Sequence, residues 1–160
     1  MSVQVIFLVI LGFGNDSASQ AFELLKSHAG QWQGTAGAEG QEGEPAEIVL
    51  KVTAAGSAVV ETLFPGTEHE MVSVYHLEQG ELVMTHYCAA GNQPKMKLVK
   101  AENGVLAFDY LSGAGIDTSK DLHMHSAKID LSQEGKISSS WTGWADGQAQ
   151  HEMKFNLSKK

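Results

Sequence analysis

Residues 61–88 read ETLFPGTEHEMVSVYHLEQGELVMTHYC, and the alternation inside this stretch decides the fold. Apolar or bulky side chains recur at every second position on both sides of Gln79-Gly80, the period of a β-strand. A glycine-containing dipeptide between two such runs is a hairpin signal. A two-residue turn there pairs Leu77 with Leu82, Tyr75 with Met84, Ser73 with His86 and Met71 with Cys88. The opposite face holds Val72, Val74, His76, Val83, Thr85 and Tyr87. We take the first face as the interior, which puts Tyr75, Met84, His86 and Cys88 where an apolar core is expected.

The flanking sequence continues the pattern. With Ala55-Gly56 as a turn, Ile48, Leu50 and Val52 share a face with Val59, Glu61 and Leu63, while Lys51, Thr62 and Phe64 lie on the other. Glu61 therefore points into an apolar face, where a carboxylate must find hydrogen-bond donors or hold its proton to higher pH, unless it sits in water at the end of a barrel. Asn103-Gly104 marks another hairpin. The interior set there stays open between the face of Leu98 and Asp109 and that of Val99, Leu106, Phe108 and Tyr110. In LHMHSAKIDL the apolar face is His123, His125, Ala127, Ile129 and Leu131; in QAQHEMKFNLSKK it is Ala149, His151, Met153, Phe155 and Leu157. A three-residue loop, Ala145-Asp146-Gly147, would set Trp141 beside His151. Turns at such regular spacing predict an antiparallel up-and-down meander that closes into a barrel. Residues 35–47, TAGAEGQEGEPAE, read as a mobile loop.

Ahead of the strands, SQAFELLKSHAG has Phe22 and Leu25 on one helical face and Gly30 as a stop, which predicts a short capping helix. The apolar run Val5 to Phe13 and the small residues around Ser19-Gln20-Ala21 read as a secretory signal peptide over residues 1–21, despite the missing positive n-region. The run is too short to span a bilayer. That leaves one domain, residues 22–160, in a periplasmic or secreted protein with no membrane span in the mature chain.

A short helix followed by GQWQGTAG, with Gly30, Trp32 and Gly34, and then a β meander resembles the calycin architecture of lipocalins and nitrobindin-like haem barrels. ETLFPGTEHEM, THYCAAGNQP and HMHS resemble an uncharacterised family of bacterial, mostly exported, calycin-like proteins from about residue 22 onward. The resemblance implies the all-β, calycin-like barrel and, at Trp32, closure of its base. It implies no activity.

Composition excludes several function classes. The formal net charge is -8, all eleven basic residues are lysines, and there is no arginine. Nucleic acid is therefore a poor partner, and bidentate guanidinium recognition of carboxylate or phosphate is unavailable. No GxxxxGK[ST] occurs. A lone cysteine, Cys88, excludes an intramolecular disulfide.

The inward polar residues point to a cavity. Glu61, Tyr75, Met84, His86, His123, His125, Trp141 and His151 are its expected lining, and the expected occupant is one small apolar or amphipathic molecule. The alternative reading uses the same His/Glu cluster for metal-dependent or acid/base catalysis on a small molecule. His123 and His125 with His86, His151 or Glu61 would then form a zinc shell, or Glu61 would work with a histidine. Haem held by His151 is a third reading, opposed by the many polar groups and the lack of arginine for its propionates. Cys88 and His86, two apart on a strand, form at best a strained thiolate pair. No cofactor is required by the sequence, and it does not specify an oligomeric state.

Overall fold

The computed structural model describes residues 15–38 and 40–160, and the apolar run Val5 to Phe13 lies outside that set. Helix α1 (Asn15–Ser27) buries Ala18, Ala21, Phe22 and Leu25, a stripe at three- and four-residue spacing that faces the barrel. The Ser19-Gln20-Ala21 segment falls inside this helix. Lys26 in its last turn suits the negative end of the helix dipole, and pairs with Glu23 at 2.5 Å.

Ten strands follow among the described residues: β1 (Gly30–Ala38), β2 (Glu44–Thr53), β3 (Ala58–Leu63), β4 (Met71–Glu78), β5 (Glu81–Tyr87), β6 (Lys95–Glu102), β7 (Val105–Ser112), β8 (His123–Asp130), β9 (Lys136–Ala145) and β10 (Gln148–Lys159). Each pairs antiparallel with the next, and β1 also pairs with β10, so the sheet closes on itself and leaves no edge. The expected up-and-down barrel with a short N-terminal cap is the fold observed.

The register of the two hairpins that decide the fold agrees with the alternation. Ile48 lies opposite Leu63, Leu50 opposite Glu61 and Val52 opposite Val59. Ser73 lies opposite His86, Tyr75 opposite Met84 and Leu77 opposite Leu82. Tyr75, Met84, Ser73, His86 and Glu61 are all buried. The open choice on β6 and β7 resolves to Leu106 and Phe108, which are buried, while Val99 is 50% exposed. The cause is a bulge: the register shifts between Leu98 and Lys100, so Leu98 faces Phe108 and Lys97 faces Asp109.

Three expectations are corrected. Residues 35–47 are mostly strand, since β1 runs to Ala38 and β2 begins at Glu44. Glycine and glutamate there occupy paired positions, and Gly34 sits so close to β10 that a Cβ would lie 2.0 Å from the Asn156 carbonyl oxygen. The β9–β10 connection is a two-residue Asp146-Gly147 turn, with Gln148 opposite Ala145, so Trp141 pairs with Met153. A bulge between Ala149 and His151 then sets His151 opposite Gly143 and puts Ala149 beside Trp144 instead of on the inner face. On β8 a further bulge, between Met124 and Ser126, breaks the alternation that had put His123 and His125 in line with Ala127.

The two ends of the barrel differ. At one end α1 packs over the turns near Gly80 and Asn103-Gly104. There the buried Trp32 donates its indole N–H to the His28 carbonyl at 3.0 Å, and Lys159 lies over the ring. Trp32 is thus buried at the helix-capped end of the barrel. The other end, here the mouth, carries the 64–70, 88–94 and 113–122 connections.

Candidate functional site

A polar chain crosses the middle of the barrel. Glu61 on β3, Ser73 and Tyr75 on β4 and His86 on β5 are neighbours because each occupies the inward position of its strand at matching register. Tyr75 donates its hydroxyl to Glu61 Oε2 at 2.7 Å. Ser73 lies directly opposite Glu61 in the β3–β4 register, and Ser73 Oγ lies 3.0 Å from His86 Nδ1. Phe108 packs its ring on Tyr75, with centroids 5.8 Å apart.

Burial dominates the electrostatics of this chain. Desolvation pushes Glu61 up to about 7, against the pull of the Tyr75 hydrogen bond. Desolvation, and then the neighbouring Glu61 charge, raises Tyr75 well above the ordinary phenol range. Burial lowers His86 to about 4, so at neutral pH its imidazole is uncharged. Of the alternatives its sequence position left open, Glu61 shows both a donor, Tyr75, and a raised value.

On the mouth side of His86 lies a cavity of about 90 Å³, lined by Leu63, Phe64, Met71, His86, Met124, Trp141, His151, Met153 and Phe155. The His86 and Trp141 rings are 5.0 Å apart, and Trp141 keeps its indole N–H buried with no hydrogen-bond partner among the described residues. His151 reaches the cavity although it is exposed along the strand. Gly143 opposite makes this possible, since a Cβ there would lie 2.6 Å from the imidazole Cε1. Phe64, expected on the outer face, adopts a positive φ of 52° that turns its ring onto Phe155, at 5.5 Å. Met124 enters because of the β8 bulge.

His123 and His125 form a separate group. They pack with Tyr110 and Trp144: Tyr110 stacks on His125 at 5.3 Å, and the His125 and Trp144 centroids are 3.7 Å apart. His123 Nδ1 lies 2.8 Å from the Asp121 carbonyl and its Nε2 lies 3.0 Å from His125 Nδ1. A carbonyl only accepts, so Nδ1 of His123 carries its hydrogen, Nε2 accepts, and His125 Nδ1 donates. Desolvation and the neighbouring His123 hold His125 below the ordinary histidine range, with Asp109 opposing them. These two histidines do not line the cavity near Glu61. Among the described residues no group of three or more His, Cys, Asp or Glu side chains is arranged to hold a metal ion.

Of the expected lining, His86, Trp141 and His151 meet at the cavity. Glu61 and Tyr75 stand behind His86 in the polar chain, and Met84, opposite Tyr75, is fully buried beside them. Sequence reasoning missed Ser73 as the hydrogen-bond partner of His86, although its pairing with His86 was legible. It also missed Phe64, Met124, Tyr110 and Trp144, whose positions depend on a backbone turn or a bulge.

No family model matches the chain, and no curated protein matches it. Among solved structures it is similar to a protein of unknown function from the DUF3598 family of Nostoc punctiforme, at TM-score 0.56 and 12% identity. The match covers 85% of this chain and 49% of that one, so the chain spans about half the length of its structural neighbour. At that identity the likeness is one of fold, and it agrees with a closed calycin-like barrel.

Proposed function

We propose that the protein binds a small, at least partly apolar molecule at the mouth of the barrel, with the hydrocarbon part among the methionines and the polar end against His86. The observation that carries this reading is the cavity of about 90 Å³ between apolar walls, lined also by the uncharged imidazole of His86 and by the exposed His151. An apolar cavity of roughly 150 Å³ holds a benzene-sized molecule, so the volume here suits about four heavy atoms. Met71, Met124 and Met153 line it, and their unbranched, soft side chains can repack to admit a longer tail. The buried, unpartnered Trp141 N–H supports the reading as well, because such a group is normally satisfied by water or by a ligand. His86 is uncharged at neutral pH and no lysine lines the cavity, so neither offers a positive charge to an anionic head.

Native mass spectrometry of gently purified protein, compared with its denatured mass, tests the proposal. An added mass of an organic molecule that disappears on denaturation is the expected result. A bare protein that also takes up neither short alcohols nor ketones at millimolar concentration would refute it. A retained metal ion would instead favour catalysis by the same histidines.

A further inference from the structure

The cavity has room for about four heavy atoms, and one residue stands between it and a larger space. Phe64 lines the cavity beside Met71, Met153 and Phe155. It also lines a surface groove of about 540 Å³, which it forms with Gly34, Pro45, Ala46 and Pro65. Among the described residues no other borders both. Gly34 and Ala46 face each other across β1 and β2, so nothing larger than a methyl group fills that part of the groove wall.

Phe64 holds an uncommon conformation. Its φ of 52° lies in the left-handed region, where it is the only aromatic residue among the described ones. A bulky L side chain is an outlier at that angle, and such strain persists only where the surroundings enforce it. The enforcing contacts are plain. The Phe64 N–H donates to the Glu47 carbonyl at 2.9 Å, and the Phe64 carbonyl accepts from the Thr67 N–H at 3.2 Å and from the Thr67 hydroxyl at 2.9 Å. The backbone is therefore pinned on both sides of the residue. The ring is held by packing, with its centroid 5.5 Å from that of Phe155. Rotation about the side-chain bonds moves the ring off Phe155 and breaks none of these hydrogen bonds.

We propose that Phe64 is a side-chain gate joining the cavity to the groove, and that the bound molecule is an unbranched amphiphile with a neutral polar end. The polar end sits at His86, about four carbons fill the cavity, and the rest of the chain passes Phe64 to lie along Pro45, Ala46 and Pro65. The gate rests on the binding reading above and adds the shape of the ligand's tail. A gap the width of one ring passes a straight chain and excludes a branched or fused-ring one. Glu47, the carboxylate at the groove, is paired with Lys160 at 2.9 Å, so the groove calls for no cation on the tail.

Titration of the full chain with butan-1-ol and octan-1-ol, followed in backbone amide and methionine methyl spectra, tests the gate. A fully buried methylene is worth roughly fourfold in affinity. Half-burial of four further carbons in an open groove therefore gives octan-1-ol an advantage of roughly tenfold. The amides of Gly34, Ala46 and Thr67 are expected to shift with octan-1-ol and to stay in place with butan-1-ol. Butan-1-ol binding with no gain for octan-1-ol would overturn the gate and leave the cavity reading standing. A gain accompanied by shifts at Met124 and Met153 alone would also overturn it, because the methionines would then have repacked around the tail. If neither alcohol binds, the cavity reading and the gate fall together.

Phe64→Ala removes the ring and leaves the backbone hydrogen bonds available. It is expected to raise the association and dissociation rates of octan-1-ol together, several-fold, in exchange-broadened spectra. Rates equal to those of the wild type would overturn the gate. If the variant fails to fold, the comparison of the two alcohols on the wild-type chain still decides.

Discussion

Glu61→Gln is expected to alter the pH dependence of stability more than its level at acid pH. Folded protein keeps the Glu61 proton up to about 7, whereas the unfolded chain loses it near 4.5. Between these values the folded state binds more protons, so stability falls as pH rises, by roughly 3 kcal/mol at 1.36 kcal/mol per pH unit. His86 acts in the opposite sense. Its folded value is about 4 against 6.5, so the unfolded chain takes up a proton the folded chain refuses. Stability from His86 is complete above 6.5 and falls as pH drops toward 4, again by roughly 3 kcal/mol. From 4.5 to 6.5 the two slopes cancel, and their joint contribution is nearly flat. Removing Glu61 removes one slope. The unfolding free energy of Glu61→Gln minus that of the wild type should climb by about 3 kcal/mol from acid to neutral pH and level off above 7. Subtraction cancels every surface group common to both proteins. Urea denaturation with linear extrapolation, in half-unit pH steps, measures it. A difference curve flat to within about 1 kcal/mol would refute the reasoning, because Glu61 would then not retain its proton in the folded state.

His86→Gln should give the mirror image, a variant-minus-wild-type stability that falls by roughly 3 kcal/mol as pH rises from acid toward 6.5, read by the same titration. Trp32→Ala removes the side chain buried at the helix-capped end of the barrel and should cost about 3–5 kcal/mol by denaturant unfolding. Trp32→Phe, which loses the hydrogen bond to the His28 carbonyl and part of the buried ring, should cost less, about 1–3 kcal/mol. Gly34→Ala pushes a Cβ into the Asn156 carbonyl, a backbone atom that cannot move without opening the β1–β10 seam. A loss of about 3 kcal/mol or more is expected by the same measurement.

Much of the architecture is written locally. Gln79-Gly80 and Asn103-Gly104 specify tight turns because both residues of each adopt positive φ, which asparagine and glycine tolerate. With turn and period known, the register of Ser73 with His86 and of Leu50 with Glu61 follows, and with it the burial of Glu61, Tyr75 and His86. The helix stripe of Ala21, Phe22 and Leu25 is equally plain. These features depend on neighbours two to about twenty residues away, and a side-chain period carries that information.

Tertiary structure decided the remainder. The bulges at Val99, His125 and Gln150 each insert one residue, and each reverses which side chains face in beyond that point, so no period read from the chain can anticipate them. One of them parts His123 and His125 from the cavity and brings in Met124; another places His151 over Gly143. The closure of β1 onto β10 joins residues more than a hundred positions apart, and only that closure gives the barrel an inside. The sequence could say that Glu61 and His86 face the same way. That Ser73 hydrogen-bonds His86, that burial keeps one proton on and the other off, and that Trp141 stands 5.0 Å from His86 all follow from strands meeting in three dimensions, where desolvation depends on everything packed around a group and not on the group's own neighbours in the chain.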